Sequence, residues 1–291
     1  MAALLAVVLV ALAVAGDRAE AQAPLLVEQT STGSFVRAVR MTIAPQGWIY
    51  IVDGDANTVF LYRNLTEDPT SIGGYGWTAT TFDDPSGVAT DGLNVLVSDR
   101  GNHRVQRFDR YLNYISSLST RDTSIALMRF GYPRDVALSR RGDVFVLDGE
   151  NLRVVKFSVT GQFDRSFGQN EQSGARLTNP VAIAVSGMDH VYILEPARLL
   201  EYDTFGNYVR TVEEGMVLDA TGFCITPGGF LIVSPDRLVW VSEDGILLGS
   251  SLRTEIVTSI PLATLQDARV SGSSLYLLTA SRLVVFQMMA D

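Results

Sequence analysis

The chain has 291 residues, 47% of them hydrophobic and 19% charged, with a formal net charge of -9 at pH 7. That is ample for a continuous core and too apolar for a disordered chain. The excess of acid would repel a phosphate backbone, so general nucleic-acid binding is not expected.

The first segment, Ala2 to Ala15, is an unbroken apolar stretch, followed by Ala19-Glu20-Ala21, the small-x-small pattern cut by signal peptidases. We read residues 1–21 as an export signal and residues 22–291 as one mature domain. The apolar stretch is too short for a comfortable membrane span. The single cysteine, Cys224, excludes a disulfide framework and a cysteine metal cluster, and no cysteine stands beside the signal to carry a lipid. The expectation is a protein free in a periplasm or outside the cell, with no stable membrane span once the signal is removed.

Beyond the signal, one unit is written six times. Pro85-Ser86-Gly87-Val88-Ala89, Asn94 to Asp99 and Val105 to Phe108 are matched by Pro133 to Ala137, Asp143 to Asp148 and Val154 to Phe157. The unit returns around Ala38 to Tyr62, Pro180 to Tyr202, Ala220 to Val241 and Leu265 to Phe286. The residues closing its second strand, Asp53, Asp99, Asp148, Glu195, Ser234 and Thr279, lie 46, 49, 47, 39 and 45 apart. Each copy alternates β-branched and aromatic runs with turn residues such as Asp91-Gly92, Arg141-Gly142-Asp143 and Gly228-Gly229, as antiparallel strands with tight hairpins require. Four strands per unit make a propeller blade. The sixth copy holds only three, so Leu25 to Gln29 is expected to supply its outer strand and close the ring. The fold class is therefore all-β: a six-bladed β-propeller with four-stranded antiparallel blades.

The segment Val97-Ser98-Asp99-Arg100-Gly101-Asn102-His103-Arg104-Val105-Gln106-Arg107-Phe108 resembles the core signature of NHL repeats. Ser166-Phe167-Gly168 through Leu177-Thr178-Asn179-Pro180 looks like that family's link between blades. The resemblance implies a six-bladed propeller. Similar repeats occur in scaffolds that bind proteins or RNA, and related propellers include lyases, lactonases and other metal-dependent enzymes, so function has to be argued from the site.

Strand direction places the turns between second and third strands on one face, here called the top, together with the links between blades. The candidate ligand-binding residues on that face are Asp99, Arg100, Asn102, His103 and Arg104, then Asp148, Asn151 and Arg153, then Glu195, Arg198, Arg237 and Arg282. Tyr75 and Trp77 on the first long link join them as stacking surfaces for a sugar or peptide. The arginines opening third strands read in two ways: a cationic ring for carboxylates or phosphates, or a brace tying each turn to its own acid. Recurrence at a repeat position favours the brace.

At the mouths of the innermost strands we place Arg40, Asp84, Asp135, Asn179, Asp219 and Asp267. Their acids, Asp84, Asp135, Asp219 and Asp267, are candidate calcium ligands, and no other cofactor is expected. His103 and His190 fall on opposite faces, so no multi-histidine zinc site is available. No nucleophile elbow or phosphate-cradling loop occurs. Two functions follow. The first is a noncatalytic exported scaffold whose top face binds a protein, peptide or glycan. The second is a calcium-dependent hydrolase or lactonase-like enzyme.

Overall fold

The computed structural model describes residues 23–170 and 174–289, and the expected export signal lies outside the described residues. Strand β1 (Leu25–Thr32) comes first among the described residues. Blade 1 holds β2 (Ala38–Ile43), β3 (Ile49–Asp53), β4 (Thr58–Tyr62) and β5 (Thr70–Gly73). Blade 2 holds β6 (Pro85–Thr90), β7 (Asn94–Asp99), β8 (Arg104–Asp109) and β9 (Tyr114–Ser119). Blade 3 follows with β10 (Pro133–Leu138), β11 (Val144–Asp148), β12 (Arg153–Phe157) and β13 (Phe163–Phe167). Blade 4 holds β14 (Ala182–Val185), β15 (Val191–Glu195), β16 (Arg198–Tyr202) and β17 (Tyr208–Glu214). Blade 5 holds β18 (Gly222–Thr226), β19 (Gly229–Ser234), β20 (Arg237–Ser242) and β21 (Leu247–Leu252). In blade 6, β22 (Leu265–Ser271), β23 (Ser274–Thr279) and β24 (Leu283–Met289) are completed by β1, giving the order β1-β24-β23-β22. The N-terminal strand thus closes the ring, and it runs on to Thr32, three residues beyond the expected segment.

The burial pattern explains the sequence pattern. Second strands lie between neighbouring blades and are covered on both faces; every residue of β3, β15 and β19 is buried. They therefore read as continuous apolar runs rather than alternations. Each hydrophobic cluster joins two blades. Leu231, Val233 and Trp240 of blade 5 pack on Leu265, Leu277 and Phe286 of blade 6, and Met41, Ile49 and Ile51 of blade 1 on Leu278, Leu283 and Val285. No blade buries both faces alone, so the ring is the smallest stable unit. Among the described residues no helix is long and apolar enough to cross a membrane.

Two local features position the top face. The turns after second strands place Asn57, His103 and Leu152 at φ 51°, 51° and 53°, the left-handed region that asparagine and histidine tolerate better than most residues. In addition, β2, β6, β10 and β22 each carry a register shift near their top end, at Ala38/Arg40, Pro85/Gly87, Pro133/Asp135 and Leu265/Asp267. Such bulges re-aim the side chain that follows them.

Candidate functional site

The acids closing the second strands face inward. Asp53, Asp99 and Asp148 are wholly buried and Glu195 nearly so. Each receives backbone amides from the link entering its blade. Asp53 takes the Val36 and Arg37 N–H groups at 2.7 and 2.9 Å, Asp99 takes Asp83 at 2.8 Å, Asp148 takes Gly131 at 3.1 Å, and Glu195 takes Thr178 and Asn179 at 2.5 and 2.7 Å. Asn102 and Asn151 donate to the same carboxylates at 2.9 and 2.7 Å. Burial holds the Asp99 carboxyl above its usual range, against the pull of the Asp83 amide, Asn102 and Arg104.

Three of the five arginines complete this brace. Arg104 Nε lies 2.7 Å from Asp99, while its Nη atoms donate to the carbonyls of Trp77, Thr78 and Thr81. Arg153 repeats the arrangement with Asp148 and the Ala126 and Arg129 carbonyls, and Arg198 with Glu195 and the Gly174 and Arg176 carbonyls. Each planar fork satisfies loop carbonyls that would otherwise have only water. Arg104→Ala is expected to cost about 2 kcal/mol. It should also speed amide exchange over residues 74–84 about tenfold or more, with residues 215–221 unaffected. Unchanged exchange in 74–84 would remove Arg104 as its anchor.

Blades 5 and 6 depart from this. Ser234 and Thr279 replace the acid, so Arg237 turns to its neighbour Asp236 at 3.3 Å and stays 43% exposed. The Arg282 side chain makes no ion pair or hydrogen bond with the described residues. Beside Arg237, residues Met216, Leu218, Asp219 and Pro235 line a cavity of about 290 Å³.

The mouth residues separate into two tiers. Register pairs Arg40, Gly87, Asp135, Ala182, Gly222 and Asp267 with Val52, Ser98, Leu147, Leu194, Val233 and Leu278, which makes them one ring. Asp84, Asn179 and Asp219 lie three residues earlier, nearer the top. Within the ring, Arg40 is 5% exposed and lies 3.6 Å from both Asp135 and Asp267. Its Nη atoms donate to the Thr221 and Val181 carbonyls at 3.1 Å each. Asp135 also accepts the Ile183 and Val136 amides, and Asp267 those of Met41 and Ala268. One tier down, Arg269 takes the position of Thr42, Ala89, Ala137, Ala184 and Cys224 and donates to Asp267 at 2.6 Å. Burial pushes the Cys224 thiol up to about 11, which keeps it protonated and inert.

Calcium needs several oxygens around one point. Asp135 and Asp267 instead face a guanidinium and backbone amides, Asp84 pairs with Arg37 and Arg100 at 3.4 and 3.0 Å, and Asp219 lines the blade 5 cavity. Among the described residues no three His, Cys, Asp or Glu side chains come together to hold a metal. The four acids as placed do not fit one cation.

His103 braces as well. Its Nδ1 accepts the Tyr132 N–H at 3.1 Å, its Nε2 faces Arg121 at 3.1 Å, and its ring meets Tyr132 edge-on at 4.1 Å. Burial and the Arg121 charge hold it below the usual histidine range. His190 sits in a bottom-face turn against Glu201.

What the brace presents is the pair Tyr75 and Trp77, 69% and 72% exposed, with ring centroids 6.4 Å apart. Their loop is fixed by Gly76 N–H to Phe82 O, Phe82 N–H to Gly74 O, Asn102 to Gly76 O and the Arg104 fork. Gly74 and Gly76, at φ 98° and 154°, permit the path. Sequence reasoning passed over two more residues at the mouth, Arg37 and Arg134. The available signal was Gly54 and Gly149, which stand where blade 2 has Arg100.

The fold and face are those of a β-propeller, and two of its blades carry a recognisable repeat. The NHL repeat matches residues 82–108 and 130–157. The chain is a six-bladed β-propeller whose second and third blades match the NHL repeat. The Protein brain tumor of Drosophila melanogaster is 29% identical over 147 residues, 48% of this chain; the chain covers 13% of that relative's length. Among solved structures, a gluconolactonase from Xanthomonas campestris superimposes with a TM-score of 0.64 at 14% identity, over 92% of this chain and 95% of that one. The virginiamycin B lyase of Staphylococcus aureus gives 0.60 at 11% identity, over 89% and 99%. At these identities the likeness is one of fold.

Proposed function

We propose that this chain is an exported, noncatalytic scaffold that binds a protein, peptide or glycan on its top face. The observation that carries the reading is the rigidly held, largely exposed pair Tyr75 and Trp77. Leaving two large aromatics in water forgoes about 1.5–3 kcal/mol each. Arg104, Asn102 and two glycines hold them there nonetheless, and a preorganised aromatic surface loses little entropy when a ligand docks. NHL propellers commonly bind proteins, which agrees with this reading. Export rests on the apolar stretch from Ala2 to Ala15 and the Ala19-Glu20-Ala21 pattern.

The enzyme alternative, a calcium-dependent hydrolase or lactonase-like activity, requires carboxylates free at the channel mouth. Asp135 and Asp267 are engaged with Arg40. Stoichiometric calcium in protein purified without chelator would favour that alternative.

Trp77→Ala tests the scaffold reading. An exposed side chain should leave stability within about 0.5 kcal/mol, while capture of a specific partner from envelope extract falls sharply. Identical capture by the variant and the parent would count against the top-face reading.

A further inference from the structure

Blade 6 keeps the arginine of the repeat and lacks what the other blades give it. In blades 2 to 4 an acid stands opposite, and the Nη atoms reach link carbonyls. Arg282 holds the same place before β24, but Thr279 replaces the acid, and the Thr279 hydroxyl is engaged by the Arg282 backbone at 3.0 and 3.1 Å. Arg282 is half-buried, yet no carboxylate or carbonyl among the described residues meets its guanidinium.

The clasp brings further donors to this place. Strand β1 ends with Ser31 paired to Val284 and Thr32 to Leu283, so residues 31–34 run beside the turn at Ser281 and Arg282. Gly33, at φ 91°, turns the chain there, and an added Cβ would lie 2.5 Å from the Phe35 ring. Phe35 N–H to Ser281 O and Ala38 N–H to Ala280 O, both at 2.9 Å, pin the turn to blade 6. Ser31, Thr32, Gly33, Ser34, Ser281 and Arg282 line one cavity of about 350 Å³, with Ile260 as its single large apolar side chain. The hydroxyls of Ser31, Ser34 and Ser281 make no hydrogen bond with the described residues. No acid lines the cavity, and Glu28, earlier on the same strand, is held by Ser259. One guanidinium and three hydroxyls are thus left unsatisfied around a single space.

We propose that this cavity binds a tetrahedral oxyanion, a phosphate or sulfate group, with Arg282 as its charge partner and Ser31, Ser34 and Ser281 as hydroxyl donors. The anion takes the place that Asp99, Asp148 and Glu195 hold beside their own arginines. A carboxylate carries two oxygens in one plane, and a guanidinium fork alone satisfies both. A phosphate or sulfate carries three or more acceptor oxygens in different directions, so it uses the fork and the hydroxyls of two chain segments together. A cavity of this size also admits a small molecule to which such a group is esterified. Because Ser31 and Ser34 belong to the end of β1, and Ser281 and Arg282 to blade 6, the bound group fastens the clasp. The inference goes beyond the scaffold reading and does not depend on it.

The test is calorimetric titration of the full chain with inorganic phosphate, sulfate, glycerol phosphate and acetate, at neutral pH and matched ionic strength. Phosphate and sulfate should each fill one saturable site, about tenfold or more tighter than acetate. R282Q should weaken phosphate about tenfold at unchanged melting temperature, since the guanidinium has no partner in the fold to lose. S31A with S281A should weaken it about fivefold, and this pair carries the same test should R282Q misfold. Glycerol phosphate bound more tightly than inorganic phosphate would identify an ester as the source of the group, and the reverse would identify the free anion; both support the site. Phosphate at about ten times its dissociation constant should also slow amide exchange over residues 25–32 about tenfold in the parent and not in R282Q. Acetate bound as tightly as phosphate, no saturable binding of either oxyanion, full affinity in either variant, or exchange in β1 that ignores phosphate would each overturn the proposal.

Discussion

Arg40→Ala is expected to lower stability by about 3–5 kcal/mol and the melting temperature by roughly 10 °C. Arg40 reaches from blade 1 to Asp135, Asp267, Val181 and Thr221, and so ties blades 3, 6, 4 and 5. Removing it strands a buried carboxylate. Asp267 keeps Arg269 at 2.6 Å, so the larger burden falls on Asp135. Burial already pushes the Asp135 carboxyl from 3.8 up to about 6, against the pull of Arg40 and of the Ile183 and Val136 amides. An acid whose folded pKa is raised binds more protons folded than unfolded between the two values. Its contribution to stability therefore grows as pH falls through about 6 and is complete below about 4. The parent should melt higher at pH 5 than at pH 7.5 through this group, Asp135→Asn should flatten that difference, and Arg40→Ala should recover part of its loss at the lower pH. A variant lacking Arg40 that melts within about 2 °C of the parent would sink the account.

The ring itself was legible because the unit recurs as chemistry as well as in spacing. Thr42, Ala89, Ala137, Ala184, Cys224 and Arg269, which recur with the period of the repeat, occupy one register level opposite Tyr50, Leu96, Phe145, Tyr192, Leu231 and Tyr276. The mouth was not legible in the same way. Bulges in β2, β6, β10 and β22 add a residue without changing hydropathy, and the hairpins between first and second strands differ in length. Asp84, Asn179 and Asp219 looked level with Arg40, Asp135 and Asp267, although they stand three residues higher, because a polar residue ahead of an apolar run carries no mark of its depth. The arginines show a second limit. Arg104, Arg153, Arg198 and Arg237 open third strands alike, yet the first three find link carbonyls and an acid, while Arg237, in register with Ser234 and beside the short link at 215–221, pairs only with its neighbour Asp236. Whether a guanidinium meets solvent or backbone depends on the loop opposite, which lies far away in sequence. The exposure of Trp77 is equally a property of the folded loop.

Starting the chain at residue 33, so that β1 is lost, is expected to lower the melting temperature by more than about 10 °C relative to a chain starting at residue 23. Strand β1 pairs with β24 through seven residue pairs, from Leu25 with Met289 to Thr32 with Leu283. Leu26 packs on the cluster containing Phe286, and Glu28 holds Ser259 N–H and Oγ at 2.5 and 2.9 Å, which anchors the last link. Without β1, the β24 edge would present unpaired N–H and C=O groups beside apolar side chains, a template for aggregation. The loss should be reversible in trans. A synthetic peptide of residues 23–32, added in excess, should restore much of the lost melting temperature by mass action, because β1 contributes through backbone pairing and one apolar face rather than through its covalent attachment. The same peptide with Val27 and Thr30 replaced by proline lacks two backbone donors and should not rescue. A truncated chain that melts with the parent would mean that six blades close without the clasp. Rescue by the proline peptide would mean that side-chain burial, not strand pairing, joins the two ends of the chain.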